Sequence, residues 1–205
     1  MESKKLLVTA SPHLTDGSST MGLMVHVIIA LVPAWIASVL IFGLRALAVS
    51  AVTVIACVVF EALYNILMKK PQTIGDCSAV VTGIILAFNL PASIPLWIAV
   101  VGAFVAIVVT KQLFGGLGMN FANPALVGRI ALFIGFAARM TNYTPPEGAL
   151  DGMASATPLA LAKTQSGIAM LKDLLLGTHP GMLGETCAVA LILGGIYLIA
   201  TKTIS

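Results

Sequence analysis

Charge is what this chain lacks. Of its 205 residues only 9% are Asp, Glu, Lys or Arg, against about 25% in a typical soluble domain. So few charges cannot build a water-facing surface, and 59% hydrophobic residues imply that lipid covers most of the chain. The net charge is only +3 and no basic cluster occurs, so nothing points to nucleic acid. Cysteine is scarce as well. Cys57, Cys77 and Cys187 are widely spaced without a C-x-x-C pair, which leaves them as small buried apolar residues and removes an iron–sulfur site within the chain. A secretory leader is not expected either. Lys4 and Lys5 precede only Leu6-Leu7-Val8 before polar residues resume, too short an apolar core for a signal. Residues 1–20 are therefore expected to form a mature cytoplasmic lead.

Long apolar runs are what the chain has. A helix needs about 20 apolar residues to cross a bilayer. Residues 21–44 meet this, with a kink expected at Pro33, and residues 46–68 do so with only Glu61 interrupting. No charge occurs from Cys77 to Thr110. That run is too long for one helix, and Asn89-Leu90-Pro91 and Pro95 break it into a short piece at 77–89 and a span at 95–111. A fifth segment covers 121–138 and contains Arg129; a sixth covers 185–201. The expectation is an all-α polytopic membrane protein with about six spanning or half-spanning helices. Short, proline-interrupted segments are the usual sign of discontinuous helices around a binding site.

Orientation follows from Lys and Arg, which favour the cytoplasmic side. If every segment crosses, Lys4, Lys5, Lys69, Lys70, Lys111 and Lys202 fall inside, and Arg45, Arg139, Lys163 and Lys172 outside. Residues 139–184 then form one long extracytoplasmic loop. A re-entrant 77–89 would reverse that parity.

Charges at bilayer depth cost roughly 2.5–3.5 kcal/mol on insertion scales, so they have partners or a role. Glu61 and Arg129 lie inside expected spans and Asp76 borders the third. They are candidates for an ion pathway, while a Glu61–Arg129 pair would be purely structural. His26 reads as a hydrogen-bonded packing residue. Gly115-Gly116-Leu117-Gly118 reads as a compact turn or a close backbone approach. Asn123-Pro124-Ala125 matches the water-channel signature, but one copy, with Arg129 four residues downstream, is a weak match.

The long loop begins irregularly, through Pro145-Pro146 and Asp151-Gly152. From Thr157 its pattern turns helical: Thr157 suits an N-cap and Pro158 the first helical position. Ile168, Leu171, Leu174 and Leu175 recur at helical spacing, and Gly177 and Pro180 supply the stop. A helix with that stripe would lie along the membrane surface. The Thr157 hydroxyl would sit where unpaired N–H groups and the helix dipole favour a phosphate. Small neighbours at Ala154, Ser155 and Ala156 leave room for a bulky group. An ordinary N-cap is the alternative.

Ser155-Ala156-Thr157-Pro158-Leu159, preceded by Asp151-Gly152, resembles the flavin-attachment motif of the membrane subunits of Rnf and sodium-pumping NADH:quinone reductase complexes. Ser11-Pro12-His13, the stretch MVHVIIALVP at 24–33 and GGLGMNFANPA at 115–125 extend the resemblance along most of the chain, and together look like the D-type Rnf subunits. The short lead favours these over the B-type quinone reductase subunits. Ala154, where the motif often has Ser or Thr, is a minor departure.

The resemblance implies a covalent FMN joined to Thr157 through a phosphoester by a flavin transferase. It also implies a non-covalent riboflavin, whose isoalloxazine edge Asn120 and Asn123 would hydrogen-bond unless they simply cap the helix at Pro124. It implies a subunit of an ion-translocating oxidoreductase in a bacterial or archaeal cytoplasmic (inner) membrane. Such a complex passes electrons between ferredoxin and NAD and couples this to Na⁺ or H⁺ transport. No nicotinamide or ferredoxin site is evident here, so partner subunits would supply those steps. Family members run on through more helices in two inverted halves. This chain would hold the lead at 1–20, a first bundle at 21–138, the flavin loop at 139–184 and the start of a second bundle at 185–205, an incomplete inverted repeat.

Overall fold

The computed structural model describes residues 19–143, 175, 177, 179–185 and 187–204. Those residues are helical or irregular, with no strand among them. Helix α1 is Thr20–Phe42 and α2 is Leu44–Leu67. A 3₁₀ turn at Ile74–Asp76 leads to α3, Ser78–Phe88. Helix α4, Leu96–Phe104, continues into π-helical turns at Val105–Gln112. Helix α5 is Pro124–Gly135, α6 the short Ala137–Met140, and α7 is Ala188–Ala200.

Each boundary has a local cause. Ser19 caps α1 by accepting from Gly22 N–H at 3.1 Å. Gly43, at φ 68, turns the chain between α1 and α2 in a conformation that side chains resist. Pro91 and Pro95 keep residues 89–95 out of helical structure, and α4 starts directly after Pro95. Asn123 caps α5, its Oδ1 accepting from Ala125 N–H at 3.0 Å, with Pro124 in the first turn. Helix α1 runs through Pro33 as one 23-residue helix. Leu175 is helical and Gly177 turns at φ 83; the rest of the surface helix expected from Thr157 lies outside the described residues.

Helices α1 and α2 are long and apolar enough to cross a membrane. Their side chains are mostly unburied: Leu40 is 77% exposed and Leu44 78%. A soluble protein seldom presents apolar surface on that scale. Helix α3 is only 11 residues, about 16 Å at 1.5 Å per residue, roughly half of a 30 Å hydrocarbon core.

Two ends of the bundle can be named from contacts. At one end Glu61 of α2 meets Lys111; at the other, Arg45 donates to the Ala92 carbonyl at 3.2 Å. Helix α3 starts beside Lys111 at Ser78, and the chain leaving it reaches Arg45 by Ala92. The segment thus runs from one end of α2 to the other and does not turn back. Helix α4 returns alongside α2, and α5 runs parallel to α3, with Arg129 against Asn89. Helix α7 lies antiparallel to α1, pairing His26 with Tyr197 and bringing Gly194 under Ala30.

Glycine permits the closest crossings. A methyl at Gly83 would lie 2.8 Å from the Val54 Cα, and one at Gly128 2.9 Å from the Gly102 carbonyl oxygen. At Gly194 a methyl would collide with the Ala30 carbonyl. Small residues at helix contacts are how membrane bundles gain van der Waals packing without a hydrophobic drive between helices. Three apolar clusters fill the interior of the described residues, the smallest joining Ala34, Phe88 and Ala190. Of the other two, one surrounds Leu90, Ile94 and Ile98 near the Arg45 end; the other surrounds Cys57, Leu86 and Ala106 above Glu61.

Candidate functional site

The Glu61 end holds a buried polar cluster. Glu61 has no exposed surface, and Lys111 is 1% exposed. The Lys111 ammonium donates to both carboxylate oxygens at 2.9 Å and to Ser78 Oγ at 2.5 Å, using all three of its donors. Glu61 Oε1 also accepts from Thr73 Oγ1 at 2.6 Å and Gln112 Nε2 at 3.0 Å. Asn65 donates to Thr73 at 3.0 Å. Ser78 donates its own hydroxyl proton to Asp76 Oδ1, which also takes the Ser78 backbone N–H at 2.8 Å. The acidic side chain thereby occupies the favourable, N-terminal end of α3. Three elements meet here, and each carries part of the network.

The ion pair differs from the sequence expectation. Glu61 pairs with Lys111, not with Arg129. Helix α5 starts near Ser78 and has climbed past Gly128 before Arg129 emerges, so Arg129 lies well away from Glu61. Its Nη1 donates to Asn89 Oδ1 at 2.7 Å. Lys111 in turn does not end in a solvated loop: the π-helical turns carry the helix on to Gln112 and turn the lysine inward. Of the three ion-pathway candidates, Glu61 and Asp76 belong to one network through Lys111 and Ser78, and Arg129 stands apart.

Lys111 and Ser78 also line a half-open cavity of about 140 Å³, together with Met24, Val81, Thr82, Ile85, Leu117, Asn120, Asn123 and Pro124. Two helix N-termini, those of α3 and α5, reach it. Asn120 Oδ1 is buried there with no hydrogen-bond partner among the described residues. A buried acceptor left unpaired costs about 1–3 kcal/mol, and native proteins rarely keep one without a ligand or water to satisfy it. The two asparagines thus differ: Asn123 spends its oxygen on the helix cap, whereas Asn120 does not. Gly115, Gly116 and Gly118 lie at φ 117, 98 and 84, so they form the compact turn that places Leu117 and Asn120 at the cavity.

Arg129 and Asn89 line a second cavity, of about 260 Å³, with Phe88, Met182, Gly184 and Glu185. The chain entering α7 is fastened there, Gly184 N–H donating to the Phe88 carbonyl at 2.9 Å and Leu183 N–H to the Leu90 carbonyl at 3.1 Å. His26 makes the hydrogen bond expected of a packing residue, at 2.9 Å to the Tyr197 hydroxyl. Cys57 is buried, and the three cysteines are free thiols. Asp151, Gly152, Ser155, Ala156, Thr157 and Pro158 lie outside the described residues, as do Ser11, Pro12 and His13.

Residues 7–205 match the model of the family described as NQR2, RnfD, RnfE. The chain belongs to this family. It is 46% identical to the D subunit of a Na⁺-translocating ferredoxin:NAD⁺ oxidoreductase complex from Acetobacterium woodii, over all of this chain and 65% of that protein. The D subunit of a proton-translocating ferredoxin:NAD⁺ oxidoreductase complex from Clostridium ljungdahlii is 38% identical, over 97% of this chain and 63% of the relative. The D subunit of an ion-translocating oxidoreductase complex from Rhodobacter capsulatus is 34% identical, over 96% and 64%. The chain thus spans just under two thirds of the length of these family members.

Sequence reasoning missed Lys111, Ser78, Thr73 and Gln112. One signal was present: Lys111 directly ends the charge-free run from Cys77 to Thr110, where a lysine is as able to face inward as outward.

Proposed function

We propose that this chain is the flavin-carrying membrane subunit of an ion-translocating electron-transport complex, one that relays electrons between ferredoxin and NAD and couples them to Na⁺ or H⁺ movement. Family membership supports the complex and its class of chemistry. The single observation that carries the flavin reading is the run Asp151-Gly152 followed by Ser155-Ala156-Thr157-Pro158-Leu159. Thr157 would bear FMN through its hydroxyl, installed by a flavin transferase, with Asp151, Gly152, Ser155, Ala156 and Pro158 forming the attachment sequence. The remaining subunits of the complex would hold the ferredoxin and nicotinamide sites.

The cavity beside Lys111 fits the edge of a second, non-covalent flavin such as riboflavin. The pyrimidine edge of a flavin presents an N–H donor between two carbonyl acceptors. Asn120 Oδ1 would accept from that N–H, and the Asn123 amide group would donate to a neighbouring carbonyl. A flavin supplies electron storage; the chain supplies position and electrostatics.

The helix directions support six crossings. Lys69, Lys70, Lys111 and Lys202 then share the Glu61 end, and Arg45 and Arg139 the other. The lysine-rich end is cytoplasmic by the positive-inside rule, which sets the flavin loop on the extracytoplasmic face of the inner membrane. Expression with the flavin transferase tests the attachment. Denatured protein is expected to fluoresce in a gel, and Thr157→Ala to abolish the band. A band that persists in the variant removes Thr157 as the attachment site; no band from either protein leaves a transporter without redox chemistry.

A further inference from the structure

We propose that Arg129 holds the ring of the loop-borne flavin: the cavity that Arg129 shares with Asn89, Met182 and Glu185 receives the pyrimidine edge of the FMN on Thr157, and the guanidinium offsets the negative charge that arrives when that ring is reduced. The inference rests on the reading of Thr157 as the attachment point and adds where the ring sits.

Charge makes the first argument. Arg129 lies inside α5, a helix of an apolar bundle, where an ionised side chain marks a partner or a ligand. Its hydrogen bond among the described residues goes to a neutral group, Asn89 Oδ1 at 2.7 Å, and it makes no ion pair among them. Four of its five N–H donors are left over. The C-terminal end of α3, where Asn89 lies, supplies at most about half a negative charge. Arg129 borders a cavity of about 260 Å³, a little under the roughly 300 Å³ at which small-molecule pockets begin. That space admits one end of a fused ring and leaves its phosphate outside. A flavin's pyrimidine edge suits the lining. Its nitrogen and carbonyl acceptors match the planar fork of a guanidinium, and Glu185, also at the cavity, supplies an acceptor for its N–H.

Placement makes the second. Both ends of the long loop are fastened beside this cavity. The Asn142 carbonyl accepts from Ser93 Oγ at 2.7 Å. On the return, Leu183 N–H donates to the Leu90 carbonyl at 3.1 Å and Gly184 N–H to the Phe88 carbonyl at 2.9 Å. A methyl at Gly184 would collide with the Phe88 side chain, so the return is packed closely against the cavity wall. The segment carrying Thr157 thus leaves and comes back over residues 88–93, next to Asn89. No covalent bond changes in the step: one electron passes from a one-electron carrier of the complex to the ring, the carrier is oxidised, and the guanidinium keeps its protons.

The test is a redox titration of the full-length subunit, purified in detergent after expression with the flavin transferase, at fixed pH and ionic strength. The Thr157→Ala subunit, titrated alike, is subtracted to leave the covalent flavin, and acid-released flavin is quantified in each sample. Arg129→Met is expected to keep the covalent fluorescent band and to weaken reduction of that flavin at least about tenfold, the worth of a hydrogen bond to a charged group, which is ~59 mV for one electron. Asn89→Asp pairs the guanidinium within the protein and should lower the midpoint likewise, with the arginine still in place. Arg129→Lys keeps the charge and should recover most of the drop. Fluorescent, monodisperse Arg129→Met and Asn89→Asp subunits with the wild-type midpoint overturn the inference, as does an Arg129→Lys midpoint equal to that of Arg129→Met. A wild-type subunit without the covalent band overturns the reading of Thr157 itself, and the inference with it.

Discussion

Replacing Lys111 with methionine keeps the length of the side chain and removes its charge. Glu61 then retains only the Thr73 and Gln112 donors, with none of its surface in contact with solvent. Removing one partner of a buried pair costs about 3–5 kcal/mol, because the surviving charge is left uncompensated. For a chain of this size each kcal/mol moves the melting temperature by about 2–4 °C, so a drop on the order of 10 °C is expected. The assay is thermal unfolding of the purified protein in detergent, followed by loss of its monodisperse gel-filtration peak. Adding Glu61→Gln to Lys111→Met should recover most of the loss, since a neutral amide still accepts from Thr73. The resulting cycle should return a coupling of about 2–3 kcal/mol. Equal melting temperatures for wild type and Lys111→Met, or strictly additive single effects, would refute the reasoning.

Four further outcomes follow from the same geometry. Asn120→Leu removes the unsatisfied acceptor and should cut retention of the acid-released flavin by about fivefold, the worth of one hydrogen bond of about 1 kcal/mol; unchanged retention on gel filtration contradicts this. Asn123→Ala loses the α5 cap and should lower stability by about 1 kcal/mol, measured by thermal unfolding. Gly194→Val forces α7 away from the Ala30 carbonyl and should abolish the stable, monodisperse protein, whereas the neighbouring Gly195→Ala, which meets nothing within 4 Å, should be silent. Tyr197→Phe removes only the hydroxyl that meets His26 and should cost no more than about 1.5 kcal/mol, read in the same assay.

Much of the fold was legible in the sequence because the signals were physical and local. Apolar runs at 21–44 and 46–68 became α1 and α2. Asn89-Leu90-Pro91 and Pro95 separated α3 from α4 where proline denies the helix its N–H. Asn123 caps the helix that begins at Pro124, one of the two roles its position allowed. The buried network was less legible. A pattern of period 3.6 says nothing about π-helical turns, which rotate the residues that follow them, so Lys111 looked like a flanking charge. Pairing Glu61 with Arg129 was reasonable from composition alone, since both lie in apolar segments. Relative depth decided otherwise, and depth depends on where α5 begins. Asn120 and Asn123 read alike in the sequence; only the hydrogen bond to Ala125 tells the cap from the unsatisfied oxygen.

The redox assignment rests on the loop threonine, and mass spectrometry of the peptide containing Thr157, taken from the natively assembled complex, tests it most directly. The expected result is a peptide carrying FMN, with fragmentation placing the phosphoester on Thr157 and not on Ser155. A fully unmodified peptide would contradict the assignment, leaving a helical membrane subunit without its tethered electron carrier.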